Sequence, residues 1–273
     1  MWTNMMKRLI YQVYVGGKKF KLYDACIDSV KKYCEKYDID HVVQTQPILR
    51  IKPDIFSTNR SQESYMKYGG YLPIYEKENA FSYFKDYDQI AIVDADIFIK
   101  DSAPNIFKEI SNTDYDFAAM CEREAPIQQW YKHKLVNYTK MQYSTLTDVD
   151  WKWNDAGAEF FNMGLMVMNK SFEKYLKGQT PQQFLNRYEF KRFVDGEGAW
   201  KWSTDQTLLN WWIKKEKIKT KHLDWRYNSL YTAINESNIS DAHFVHFFLK
   251  DKLPNRGENV DQLLKDIYVG KFF

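Results

Sequence analysis

Cysteine is scarce in this chain: Cys26, Cys34 and Cys121 are all there is. Thiols so few and so scattered supply neither a disulfide framework nor a zinc knuckle. They fit a reducing, cytosolic setting. An excess of one charge is missing too, because 39 Lys and Arg against 36 Asp and Glu leave a formal +3. A nucleic-acid binder would show a basic excess or a basic face, and neither is visible. The pairs Lys18-Lys19, Lys31-Lys32 and Lys214-Lys215 read as solvated surface. No apolar run reaches membrane-spanning length. The opening MWTNMMKRLIYQVYV lacks a long apolar segment between a basic start and a small-residue cleavage site, so no signal peptide is expected. There is no internal repeat and no low-complexity stretch.

What the chain does have is apolar and aromatic mass. Hydrophobic residues make up 44% of its 273 positions, enough for one large domain spanning 1–273, with two small domains as the alternative. Aromatics reach 17%, with 20 Tyr, 18 Phe and 9 Trp. Several sit beside charges, as in Trp151-Lys152-Trp153 and Trp200-Lys201-Trp202, where amphipathic rings can form a binding face as well as a core.

Strand and helix signals alternate along the chain. Leu9 to Val15 reads as a first strand, and Leu22, Cys26, Ile27, Val30 and Tyr33 give the helical spacing of a helix over 20–37. Val42 and Val43 begin a second strand, residues 45–72 read as irregular, and Pro73 opens a helix to Lys85. Strands are expected at 89–93, 117–121, 161–168 and 243–248. Helices are expected over 102–110, 181–190, 204–215 and 260–267. Residues 122–160 show no clear period and read as a long loop or subdomain, set within about 111–160. Such alternation argues for a three-layer α/β fold.

One stretch breaks its own pattern. In DQIAIVDADIFIK, residues 88–100, an apolar run ends in Asp94, Ala95 and Asp96 and then resumes. In α/β sheets functional groups gather at the carboxyl ends of strands. Residues i and i+2 of a strand face one side, so Asp94 and Asp96 are expected to point together at a hard divalent cation. Taken alone, the pair reads first as a strand end where one Asp caps a turn and the other is solvated. It has company, however. Asn162 and Gly164 interrupt the start of the strand at 161, and Gly there permits a close backbone approach. Ser203 or Thr204 can cap a helix whose first turn holds Asp205 and Gln206. His243 and His246 are three apart, so on a strand only one of them can face the carboxylates.

In order, Lys77, VDADIF, FNMGLM, DQTLLN and HFFLKDKLP resemble the motifs of GT-A glycosyltransferases, most of all glycosyltransferase family 8, which includes glycogenin and bacterial galactosyltransferases. The likeness covers residues 74–110, 160–172, 202–213 and 243–254, and residues 1–40 by strand and helix pattern alone. The resemblance implies a GT-A fold, Rossmann-like, with a mixed, mostly parallel central sheet between helices. It implies that Asp94, Asp96 and His246 ligate Mn²⁺ or Mg²⁺, His246 being chosen over His243 because Lys252 follows at the family's interval. Lys252 would contact the donor diphosphate and Lys77 the donor. Ala95, Asn162 and Gly164 fall in the donor-binding motifs, with Asn162, Asp205 and Gln206 around the transferred sugar. Val13, Tyr14 and Val15 would lie near the base. The implied activity is transfer of a hexose from UDP-glucose or UDP-galactose to a saccharide or other hydroxyl acceptor, with retention. Asp205, Gln206 and Lys77 would be its catalytic residues. Trp130, Trp151, Trp153, Trp200 and Trp202 could offer flat faces to acceptor rings.

The chain departs from the family in three places. Leu249 replaces a Gly, Lys252-Leu253-Pro254 replaces KPW, and the ND after the first strand is absent. Two other readings compete. A Mg²⁺-dependent nucleotidyltransferase would use Gly16-Gly17-Lys18-Lys19 to cradle a triphosphate, and a non-catalytic nucleotide-sugar-binding protein would keep the scaffold without the chemistry.

Overall fold

The computed structural model describes residues 6–15, 20–54, 59–202 and 204–270, apart from the side chains of Asn59, Arg60, Ser61, Glu63 and Trp202. Gly16-Gly17-Lys18-Lys19 and Ser203 therefore lie outside the described residues. The order of elements opens β1 (Arg8–Val13), α1 (Lys21–Tyr37), β2 (Asp40–Gln44), α2 (Asn59–Tyr68), a 3₁₀ stretch over Pro73–Lys85, β3 (Gln89–Val93) and β4 (Ile97–Ile99). Next come β5 (Phe117–Cys121), α3 (Gln129–Tyr143), β6 (Phe161–Asn169), α4 (Pro181–Leu185) and α5 (Lys191–Asp195). The chain ends with α6 (Asp205–Lys215), β7 (Thr220–His222), β8 (Ser229–Leu230), β9 (Phe244–His246) and α7 (Val260–Val269).

Six strands form one sheet in the order β2-β1-β3-β6-β5-β7. Only β6 runs against its neighbours, pairing antiparallel with β3 and β5 while the other pairs are parallel. The expected mixed, mostly parallel sheet is therefore present. Its central strands are covered on both faces, which is why β5 and, after Gln89, β3 read as apolar runs and not as alternating ones. A second sheet, in the order β4-β9-β8, begins three residues after Asp94. α1 buries Leu22, Cys26, Val30 and Tyr33 and ends at Asp38 in the left-handed conformation. Trp212 packs edge-on against Phe172 and Phe184 in the core beneath α6, so much of the aromatic mass is structural.

Several sequence expectations are corrected here. Residues 122–160 hold a regular helix, α3. Its buried face includes Thr139 and Gln142, and Trp130 and Met141 are exposed, so apolar residues do not mark its inner side. Residues 45–72 contain α2. The segment opened by Pro73 is 3₁₀ throughout, and Glu76, Lys77, Glu78 and Asn79 are buried in succession along it. The expected helix over 102–110 shrinks to a 3₁₀ turn, Ile106–Glu109, capped by the Asn105 side chain. The helix expected over 181–190 stops at Leu185.

Candidate active site

Asp94 leaves β3 at its carboxyl end, just past the last register pair, Val93 with Leu165. The chain must then cross from the large sheet to the small one. It does so in a tight turn closed by the Ile97 amide donating to the Asp94 carbonyl at 3.1 Å. The two aspartates therefore do not sit at i and i+2 of one strand, as the sequence suggested. The turn itself brings their carboxylates to one side. β4 pairs antiparallel with β9, with Ile97 opposite His246, and the Phe247 amide donates to the Asp96 carbonyl at 2.9 Å. This pairing carries His246 to the aspartates across 150 residues of chain. Its Nε2 lies 3.2 Å from Asp96 Oδ1 and 3.9 Å from Asp94 Oδ2. Ligand atoms of all three residues fall within 4.8 Å of one another.

The His246 ring is held from behind. Asn162 Nδ2 donates to Glu122 Oε1 at 2.7 Å, and the Gly164 amide donates to Asn162 Oδ1 at 2.9 Å. Both contacts fix which end of the Asn162 amide is oxygen. Asn228 Nδ2 must then be the donor to Asn162 Oδ1, at 2.9 Å, which turns Asn228 Oδ1 toward His246 Nδ1 at 3.0 Å. His246 Nδ1 is accordingly the donor, and Nε2 faces the aspartates. Tyr131 Oη completes the chain by donating to Glu122 Oε2 at 2.8 Å. Gly164 is needed because a Cβ there would lie 2.8 Å from His246 Nδ1. Glu122, Tyr131 and Asn228 were not singled out from sequence. Glu122 directly follows an apolar strand, a weak signal, and Asn228 carries none.

On the other side of Asp94, Lys77 is 8% exposed. Its Nζ lies 3.0 Å from Asp94 Oδ1 and 2.8 Å from Asp205 Oδ2, and it donates to the Met163 carbonyl at 3.1 Å. Asp205 sits in the first turn of α6, where the Thr204 hydroxyl accepts from the Gln206 amide. Gln206 Oε1 accepts from the Met163 amide, and Asn210 bonds both the N–H and the carbonyl of Phe161. The spacing Asp205–Gln206–Asn210 is thus a set of helix-to-strand ties between α6 and β6.

The charges in this cluster are tightly linked. Burial pushes the Asp94 carboxyl up to about 6, against the pull of Lys77. Burial also opposes charge on Asp96, but attraction and a hydrogen bond from His246 win, and its pKa is lowered. His246 is raised, the loss of solvent being outweighed by Asp96. Lys77 is raised as well: burial works against its charge, and Asp205 and Asp94 more than offset it. The donor set suits a divalent cation. Two carboxylates and an imidazole whose Nε2 is turned toward them converge at one point.

These groups line a cavity of about 460 Å³ together with Asn162, Gly164, Gln206 and, on the opposite wall, Tyr131, Lys134, Leu135 and Tyr138 from one face of α3. A cavity of about 210 Å³ shares Lys77, Asp94 and Asp96 with it and adds Val13 and Ala95. Tyr14 and Val15 line neither of these two, and the Tyr14 hydroxyl accepts from the Phe20 amide at 3.0 Å. Lys252 is exposed and lines neither cavity, whereas Lys250 lines the larger one, its Nζ 3.4 Å from the centre of the Phe20 ring. Leu249, at the family's Gly position, keeps the left-handed backbone, φ 56°. Trp151 is buried in the core, Trp200 packs against it, and Trp130 and Trp153 are exposed but line neither cavity. The Trp202 side chain lies outside the described residues.

No family model and no curated protein matches the chain. Among solved structures it is similar to a glycosyltransferase involved in the glycosylation of the major capsid of PBCV-1, at 12% identity and a TM-score of 0.50, covering 95% of this chain and 99% of that one. It also resembles an active-site mutant of LgtC, at 13% identity and a TM-score of 0.49, over 88% of this chain and 87% of that one. Mouse xyloside xylosyltransferase 1 follows, at 12% identity and a TM-score of 0.46, over 89% and 98%. The first likeness spans nearly both chains, and the protein has the α/β fold of a GT-A glycosyltransferase. Among the described residues no helix is long and apolar enough to cross a membrane.

Proposed function

We propose that the protein is a metal-dependent glycosyltransferase that moves a hexose from a nucleotide sugar to a hydroxyl acceptor. One observation carries this reading. Asp94, Asp96 and His246 converge at the carboxyl end of β3, on the wall of a cavity that also receives Lys77, Asp205 and Gln206.

Asp94, Asp96 and His246 would hold the cation, Mn²⁺ or Mg²⁺. When bound, it would neutralise charge on a departing diphosphate, a contribution on the order of several kcal/mol. The chain's own groups do the rest. Lys77 stays cationic because Asp205 and Asp94 stabilise it, and it presents that charge where a diphosphate would sit. Asp205 is 2% exposed and ion-paired, which suits electrostatic support of an oxocarbenium-like sugar better than direct attack. The Gln206 side chain is oriented by the Met163 amide. The α3 wall, with the rings of Tyr131 and Tyr138 and the apolar side chain of Leu135, faces the space a saccharide acceptor would take. UDP-glucose or UDP-galactose as donor, and retention of configuration, follow from the motif resemblance.

The test is a donor panel. Purified protein with Mn²⁺ is incubated with UDP-, GDP- and CMP-sugars, and the released nucleotide is measured. Release from a UDP-hexose, lost in Asp96→Asn, is the expected result. No release from any donor, with Mn²⁺-dependent nucleotide binding retained, would instead mark a binding protein on a transferase scaffold.

A further inference from the structure

A second cluster of ligand-type side chains lies at the edge of the large sheet, and none of its members lines either cavity of the active site. β5 ends at Cys121, and the following 3₁₀ turn, Glu122–Glu124, folds Glu124 back over the strand end. The edge strand β7 runs parallel to β5 and ends at His222, which is in register with Ala119. The Cys121 thiol, a Glu124 carboxylate oxygen and a His222 ring nitrogen fall within 4.8 Å of one another. His222 Nδ1 is 2.8 Å from Glu124 Oε2, and its Nε2 is 3.8 Å from Glu159 Oε2. Its ring stands edge-on to Phe161, with centres 5.0 Å apart.

The cations nearby are engaged elsewhere. Arg123 donates to the carbonyls of Lys152 and Gly157, and Lys152 and Lys214 pair with Glu159. Among the described residues, it is the His222 ring that faces the Glu124 carboxylate. Burial and the nearby Glu124 hold the Cys121 thiol protonated, its pKa pushed up to about 12. A cation that replaces this proton would therefore meet a thiolate beside a carboxylate.

We propose that Cys121, Glu124 and His222 form a zinc site, separate from the Asp94–Asp96–His246 centre. A thiolate, an imidazole and a carboxylate give three protein ligands and leave a fourth position for water. The thiolate is soft and favours zinc, while the oxygen-rich active-site set suits harder ions, so the two centres would sort their metals. On binding, the zinc–sulfur bond forms as the S–H proton passes to solvent. The thiolate and the carboxylate then balance the two charges of the ion. Glu124 is exposed, so it can close on the ion by side-chain rotation, without movement of the strands. The site would also brace the strand end from which Glu122 reaches Asn162 and, through Asn228, His246.

Metal-free protein is titrated with Co²⁺ and Zn²⁺. A near-ultraviolet thiolate-to-cobalt charge-transfer band is expected in the wild type and in Asp96→Asn, and is expected to vanish in Cys121→Ser. Equilibrium dialysis should show one fewer zinc bound by Cys121→Ser than by the wild type. The other thiols, Cys26 and Cys34, belong to no cluster of ligand-type side chains among the described residues, so the band reports this site. Absence of the band in the wild type, or its survival in Cys121→Ser, would overturn the proposal. Should Cys121→Ser fail to fold by circular dichroism, His222→Gln keeps the thiol and should weaken cobalt binding at least tenfold. Undiminished binding by that variant counts equally against the site. None of these readouts depends on sugar transfer, so the two readings fail separately.

Discussion

At the scale of single residues, the site is governed by which charges are enclosed. Lys77 and Asp205 are both buried, and each compensates the other. Removing one partner of such a pair leaves an uncompensated charge and costs about 3–5 kcal/mol. Lys77→Met should therefore lower the denaturation midpoint as well as activity; an unchanged midpoint would show that the pair contributes little. Asp94 supplies a pH dependence. Its folded pKa, about 6, lies above the ordinary 3.8, so its contribution to stability is greatest below the lower value and is lost as pH rises through the higher one. Cation binding runs the other way, because proton and cation compete for the same oxygen. Mn²⁺ affinity, read by electron paramagnetic resonance, should fall as the pH drops through about 6. A flat profile across that window would remove Asp94 from the ligand set. Asn228 acts through His246. Asn228→Ala should weaken Mn²⁺ about 10–100-fold, as loss of a ligand's outer partner generally does. Unweakened binding would mean the ring needs no such support.

At the scale of elements, β6 and the β4–β9 pair decide the site. Gly164 has no unusual backbone angle to explain it; its role is to let His246 approach. Gly164→Ala should displace that ring and reduce Mn²⁺ affinity while far-ultraviolet circular dichroism stays the same, and a variant that binds normally would show the ring can yield. These elements were unequally legible. Gln89–Val93 and Phe117–Cys121 stand where their apolar runs put them, because strands covered on both faces need little but β-prone, apolar side chains. α3 was missed since its inner face mixes Tyr131, Leu135, Thr139 and Gln142, which no hydrophobic period reports. The 3₁₀ winding of Pro73–Lys85 was missed because spacing of three and spacing of four look alike over short runs.

At the scale of the whole molecule, aromatic packing beneath α6 holds the site's framework. Trp212 is 1% exposed and meets Phe172 and Phe184, so Trp212→Ala should cost about 3–5 kcal/mol by denaturation. A much smaller loss would mean that the layer collapses to fill the space.

The sequence by itself determined the alternation of strands and helices, the strand end that Asp94 follows, and the helix start that bears Asp205. Each follows from local periodicity or capping, which depends on near neighbours alone. Tertiary structure decided that His246 meets those aspartates, that Glu122 reaches it through Asn162 and Asn228, and that Cys121 comes to face His222. These contacts join residues up to about 150 positions apart through strand pairing, and pairing is selected by the packing of the whole sheet, which no local pattern encodes.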